Sequence, residues 1–124
     1  MSTFYGATNF FKSITWGLCM DLKALAENLG LEEEEYVEML DLFFESGGSD
    51  LKQLDAAIKE GSVEKAHVAS HSFKGSSGSL GLDNLFKLAT IIDDKARQGV
   101  LDGLEGTMQQ LLREYDELVQ AVSK

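Results

Sequence analysis

The sequence predicts an all-α protein, an antiparallel bundle of helices joined by short connections. Three observations carry that prediction. Apolar residues recur at the i, i+3, i+4, i+7 spacing of a helix, and no segment shows sustained period-two alternation. The 124 residues contain no proline, which breaks helix interiors by removing a donor and crowding the preceding turn. Most of the 12 glycines fall between the periodic segments rather than within them.

The segments follow in order. Leu18, Leu22, Leu25, Ala26 and Leu29 form the stripe of a first helix, which Gly30 closes in the position of a left-handed cap. Glu32 to Glu35 then place negative charge at the positive end of a second helix, a solvated start. That helix carries Tyr36, Val37, Leu40, Phe43 and Phe44 as far as Ser46. The pair Gly47–Gly48 predicts a break or kink, with Ser49 capping a third stretch that holds Leu51, Leu54, Ala57 and Ile58 and stops at Gly61. Ser62 caps a helix that runs from Val63 to the neighbourhood of Leu80 and ends at Gly81. Asp83 caps the next, with Leu85, Leu88, Ala89, Ile92 and Ala96 on its stripe and its end near Gly99. The last runs from the region of Leu104 to Val122 on Met108, Leu111, Leu112, Tyr115, Leu118 and Val122. Met20, Met39 and Met108 read as core filling. Residues 1–17 stand apart as an extension rich in aromatics (Phe4, Tyr5, Phe10, Phe11, Trp16) that is expected to pack on the bundle, which itself occupies 18–124.

Composition narrows the function. With 44% hydrophobic residues the chain can bury one core. The single cysteine, Cys19, excludes a disulfide framework and a cysteine zinc site, and nothing beside it suggests a nucleophile. There are 21 acidic and 11 basic side chains, for a net charge of −10, which argues against nucleic acid and anionic membrane surfaces alike. No apolar run approaches the ~18 residues that span a bilayer, and the start makes a poor signal peptide. Neither a P-loop nor a kinase-type glycine loop is present, so phosphorylation from ATP is not expected. These features point to a soluble, cytoplasmic, reducing-compartment domain.

One segment departs from good helix design. Within Ser62–Leu80, Gly75 and Gly78 each cost about 1 kcal/mol relative to Ala. Ser72, Ser76, Ser77 and Ser79 weaken the same stretch by competing for backbone hydrogen bonds. At about 100° per residue, Ala66, Ala69, Phe73 and Leu80 share a core face with Ser70 and Ser77 at its flank. Glu64, His67, His71, Lys74, Gly75 and Gly78 share the opposite, exposed face. Such a face suits phosphoryl acceptance. Imidazole, with an ordinary pKa of about 6.5, is a competent nucleophile near neutrality. Lys74 lies one turn on, where it can neutralise phosphoryl oxygens. Gly75, four residues after His71, leaves no side chain beside the ring, so a partner's active site can approach in line.

The run His71-Ser-Phe-Lys74-Gly75-Ser-Ser-Gly-Ser-Leu-Gly81 resembles the H-x-[L/F]-K-G-[S/A]-[S/A] signature of histidine-containing phosphotransfer (HPt) domains. LEEEEYVEMLDLFFES and GSVEKAHVASH are similar to the family's preceding helix and lead-in, so the resemblance spans roughly 30–122. It implies an antiparallel four-helix bundle with an additional N-terminal helix. It implies that His71 Nε2 takes a phosphoryl group from a receiver-domain aspartate, or gives it to one. The partners implied are response-regulator receivers, among them that of a hybrid sensor kinase, serving a monomeric bacterial carrier. Magnesium would come with the receiver, and the chain would hold no cofactor. In several family members a polar residue 22 positions after the histidine fixes its tautomer; here that position is Asp93, where Gln is seen elsewhere. Asp93 would accept from His71 Nδ1–H and leave Nε2 free; the plainer reading makes it a solvated acid beside Asp94. His67, one turn before His71, reads as a neighbour that tunes the partner surface.

Two other functions fit parts of the pattern. His67 and His71, at i and i+4, suit a metal ion with Asp93 or Glu64 as a further ligand, although the intervening Val-Ala-Ser lacks a catalytic Glu and the glycines go unexplained. A helical interaction module without chemistry is the second, against which His71, Lys74 and Gly75 stand together.

Overall fold

A computed structural model of the protein describes residues 22–122, and all regular structure among them is helical, as the sequence predicts. The helices are α1, described over 22–28, then α2 (Glu33–Glu60), α3 (Val63–Ser79), α4 (Asp83–Arg97) and α5 (Glu105–Val122). The aromatic extension 1–17, Leu18, Cys19 and Met20 lie outside the described residues.

The chain divides into two compact units. The first, described over 22–39 and 116–122, holds α1, the start of α2 and the end of α5. Its buried side chains are Leu22, Ala26, Tyr36, Leu118 and Ala121. α2 opens as its acidic start suggests. Glu33, Glu34 and Glu35 occupy the first turn, and the Glu32 N–H donates to Glu35 Oε1 at 2.9 Å, half of a capping box. Two side chains depart from expectation: Leu29 is exposed because it lies in the turn that follows α1, and Met39 because it sits a step off the buried stripe of α2.

The second unit, Leu40–Tyr115, is a bundle of the remainder of α2, α3, α4 and the first part of α5. Short links force successive helices antiparallel: residues 61–62 join α2 to α3, and 80–82 join α3 to α4. Gly61 and Gly81 adopt φ of 78° and 74°, a left-handed conformation that glycine enters without a Cβ penalty, so α3 is bounded on both sides as predicted.

Gly47 and Gly48 do not break the chain: α2 runs unbroken through them, and Ser49 is an interior residue whose hydroxyl accepts from Gln53 Nε2 rather than a cap. The reason is packing. Leu40, Phe43, Gly47, Leu51 and Leu54 form one buried stripe, and Gly47 is its narrowest point. A Cβ there would lie 3.1 Å from Phe73 and 3.2 Å from Phe43, whose rings sit with centroids 5.3 Å apart. A Cβ on Gly48 would lie 3.0 Å from the Tyr115 hydroxyl, which donates to the Phe44 carbonyl on the same helix. Burial pushes the Tyr115 phenol up from its ordinary pKa. Phe43, Phe44, Phe73 and Tyr115 thus form one ring cluster joining α2, α3 and α5. A second, smaller difference concerns α4. Its N-cap is Leu82, with no side-chain cap bond, and Asp83 is the first helical residue, where its charge still meets the helix dipole.

Filling the glycine notch should hurt. Gly47→Val is expected to lower unfolding free energy by about 1–3 kcal/mol through overpacking, measured by denaturant unfolding. Tyr115→Phe should cost about 0.5–1.5 kcal/mol with unchanged helicity.

Candidate functional site

α3 forms despite its glycines and serines because its caps and buried face compensate. The Ser62 side chain accepts from the Lys65 N–H at 3.3 Å, the predicted N-cap. Ala66, Ala69, Ser70, Phe73 and Ser77 are buried, as the face assignment requires. The buried serines bond inward to their own helix: Ser70 Oγ donates to the Ala66 carbonyl at 2.7 Å and Ser77 Oγ to that of Phe73 at 2.8 Å. No hydroxyl is thereby stranded in the core, and small side chains let α4 approach closely. On the other flank Ser72 Oγ donates to Asp50 Oδ2 at 2.8 Å, tying α3 to α2 beside His71.

The opposite face carries the expected stripe, and its members differ in exposure. Glu64, His71, Gly75 and Gly78 are exposed, while His67 and Lys74 are half-buried. The His71 side chain is 65% exposed and that of Lys74 only 21%. The two glycines have different reasons. Around Gly75 a Cβ would meet nothing within 4 Å, so the surface there is open. A Cβ on Gly78 would lie 2.9 Å from the Phe86 ring, so Gly78 is a seat for α4 and packing explains it without access.

Beneath the stripe, on α4, lies Asp93, whose side chain is 0% exposed. It is the i+4 neighbour of Ala89 and adjoins Ile92, within a stripe otherwise apolar, and is therefore not a solvated acid. Four side chains surround its carboxylate. His67 Nδ1 is 2.7 Å from Oδ1, in hydrogen-bond geometry. Lys74 Nζ is 3.0 Å from Oδ2, His71 Nδ1 is 3.5 Å from the same oxygen, and Arg97 Nε is 3.9 Å from it. Oδ2 receives no directed hydrogen bond, so it is held by charge. Burial by itself would push the Asp93 carboxyl up, but the Lys74 ammonium and the two imidazoles outweigh burial and hold it below its ordinary value of 3.8. An ionised carboxylate only accepts, so in the 2.7 Å bond His67 Nδ1 carries the proton, while His71 Nδ1 faces the same carboxylate at 3.5 Å without a directed bond.

Sequence reasoning put His67, His71 and Lys74 on one face and left Asp93 open between a partner of His71 and a solvated acid; the structure brings all four within one cluster. It changes the pairing: the short hydrogen bond from Asp93 goes to His67, while His71 stands at 3.5 Å. Arg97 was missed. Its signal was the i, i+4 spacing from Asp93, the spacing at which opposite charges meet on a helix; it also pairs with Asp94 at 3.1 Å. Among the described residues no group of three or more His, Cys, Asp or Glu side chains is arranged to hold a metal ion. Both imidazoles turn Nδ1 toward the Asp93 carboxylate.

A helical bundle that displays an exposed histidine on its second long helix, over a charged cluster on the next, belongs to a class that comparison names. The Hpt domain family model matches residues 38–121, and the chain belongs to that family. It is 31% identical over 101 residues to histidine-containing phosphotransfer protein 4 of Arabidopsis thaliana, covering 80% of this chain and 78% of that one. Its fold matches the crystal structure of histidine-containing phosphotransfer protein B from Pseudomonas aeruginosa with a TM-score of 0.68 and 25% identity, over 86% of this chain and 87% of the other. Relatives thus occur in a plant and in a bacterium, and family membership does not tie this chain to bacteria as the sequence reading had expected.

The carboxylate has a defined pH signature. Because the folded-state pKa is lowered, its stabilisation is present above the unfolded value and lost as pH falls through the folded one. Asp93→Asn should therefore lower stability by about 1–3 kcal/mol at neutral pH. The gap from wild type should narrow as pH drops below 3.8, read from denaturant midpoints across a pH series.

Proposed function

We propose that this chain is a phosphorelay intermediate in which His71 Nε2 accepts a phosphoryl group from the phospho-aspartate of a receiver domain and passes it to an aspartate of another. Membership of the Hpt domain family supports a histidine phosphotransfer role, a carrier rather than a kinase. The observation that carries the residue assignment is the His71 ring itself. It is 65% exposed, its Nδ1 is aimed at the ionised Asp93, and it stands four residues before the open Gly75.

The chemistry follows from that placement. The Nε2 lone pair attacks phosphorus in line, the N–P bond forms, and the P–O bond to the donor aspartate breaks with its electron pair leaving on the carboxylate. Positive charge develops on the ring during attack, and Asp93 stabilises it through the Nδ1–H side. Lys74 Nζ stands 3.0 Å from Oδ2 and one turn after His71, where its charge can neutralise the phosphoryl oxygens during transfer. Val68, exposed and three residues before His71, offers an apolar contact at the rim of the docking face. The receiver brings its own magnesium ion along with the reacting aspartate, and this chain supplies the imidazole and its charge environment. No described helix is long and apolar enough to cross a membrane, and a cytoplasmic setting, where receivers work, fits this role.

Incubation with a phosphorylated receiver should place an acid-labile, base-stable phosphate on this chain, and His71→Gln should abolish it; undiminished labelling of that variant would overturn the assignment. Gly75→Gln should slow transfer at least about 10-fold without loss of helicity, whereas Gly75→Ala should raise stability by about 1 kcal/mol because it fills open space with a better helix former.

A further inference from the structure

The most deeply placed polar group of the site has one directed bond, and that bond does not come from the proposed phospho-acceptor. Asp93 Oδ1 receives His67 Nδ1 at 2.7 Å. Oδ2 is approached by Lys74 at 3.0 Å, His71 at 3.5 Å and Arg97 at 3.9 Å, with no directed hydrogen bond among them. Charge contacts fix distance but not the rotation of a carboxylate about its Cβ–Cγ bond, a torsion whose intrinsic preference is broad. A short, linear hydrogen bond to one oxygen does fix it. When Oδ1 is held by His67, the other oxygen is directed toward Lys74 and His71.

We propose that His67 is a positioning residue for phosphotransfer: by pinning Asp93 Oδ1 it orients Oδ2 toward His71 Nδ1, and so biases His71 to the tautomer with Nε2 unprotonated. The proposal rests on His71 being the phospho-acceptor and replaces the reading of His67 as a modulator of the partner surface. Its geometry suits this role. His67 lies one turn before His71 with ring centroids 5.7 Å apart, close enough to share a carboxylate. Its side chain is 38% exposed, so the imidazole body lies against the bundle while one edge meets solvent. His71, at 65% exposed, is held by less of the protein and depends more on a group that orients it. Loss of His67 would leave a fully buried oxygen with no donor, and the carboxylate would turn toward Lys74 and Arg97.

The test separates orientation from mere bulk. His67→Leu keeps most of the volume and removes the donor; His67→Asn keeps an N–H near the position of Nδ1 and removes the ring. Nitrogen-15 NMR at pH 8, where free imidazole is neutral, should show His71 in wild type with its proton on Nδ1. In His67→Leu the His71 tautomer should become mixed, and transfer from a phosphorylated receiver should slow about 10-fold, the lower end of what loss of an orienting partner costs. His67→Asn should restore the Nδ1–H tautomer and a rate within about 3-fold of wild type. A His67→Leu protein with wild-type tautomer and rate would overturn the proposal, as would a folded His67→Asn protein that rescues neither. His71→Gln, run in parallel, keeps the two levels distinct: labelling of that variant refutes the acceptor assignment, whereas its silence beside a normal His67→Leu refutes only the role of His67.

Discussion

A carboxylate wholly withdrawn from water must find its counter-charges inside the protein, and in this bundle that requirement organises the functional face. Asp93 sits within the buried stripe of α4, and α3 answers it with two imidazoles and an ammonium at one-turn intervals. A solitary buried charge costs several kcal/mol, so neither helix can slide or rotate against the other without exposing that cost. The same contact that joins α3 to α4 therefore sets the direction in which His71 faces. Stability and reactivity meet at one group here: the side chains that hold Asp93 ionised include the exposed His71.

Glycine serves opposite ends in the two long segments around this contact. At Gly47, Gly48 and Gly78 it removes volume so that aromatic rings can press onto helix backbone. At Gly75 nothing presses, and the cost of a mid-helix glycine goes uncompensated by any neighbour within 4 Å. A residue that weakens its helix without improving packing is where a requirement other than folding shows itself.

Much of this was readable in the chain. Helical spacing, Ser62 as a cap, Gly61 and Gly81 as ends, and the division of α3 into an apolar and a chemical face all follow from local rules, and the structure repeats them. The continuity of α2 was readable too, but by phase rather than by propensity. Leu40 and Leu51 are 11 residues apart, close to three helical turns, so the buried stripe stays in register across Gly47 and Gly48. Glycine propensity argued for a break, and the rings of Phe43 and Phe73 overrode it. What no local rule supplies is which of two histidines takes the short bond to a shared acid. His67 and His71 are equivalent in spacing, and only the position of α4 along α3 distinguishes them.

The bond from Tyr115 to the Phe44 carbonyl bears on the order in which this unit assembles. It joins residues 71 apart, whereas the His67–Asp93 contact joins residues 26 apart. Loop-closure entropy grows only logarithmically, so the longer closure costs about 1 kcal/mol more than the shorter. The α3–α4 hairpin, with its whole cluster of ionisable groups, is thus the cheaper structure to nucleate, and the aromatic tie to α5 is the later seal. A chain emerging from synthesis would complete its reactive face before the C-terminal helix closes the bundle behind it.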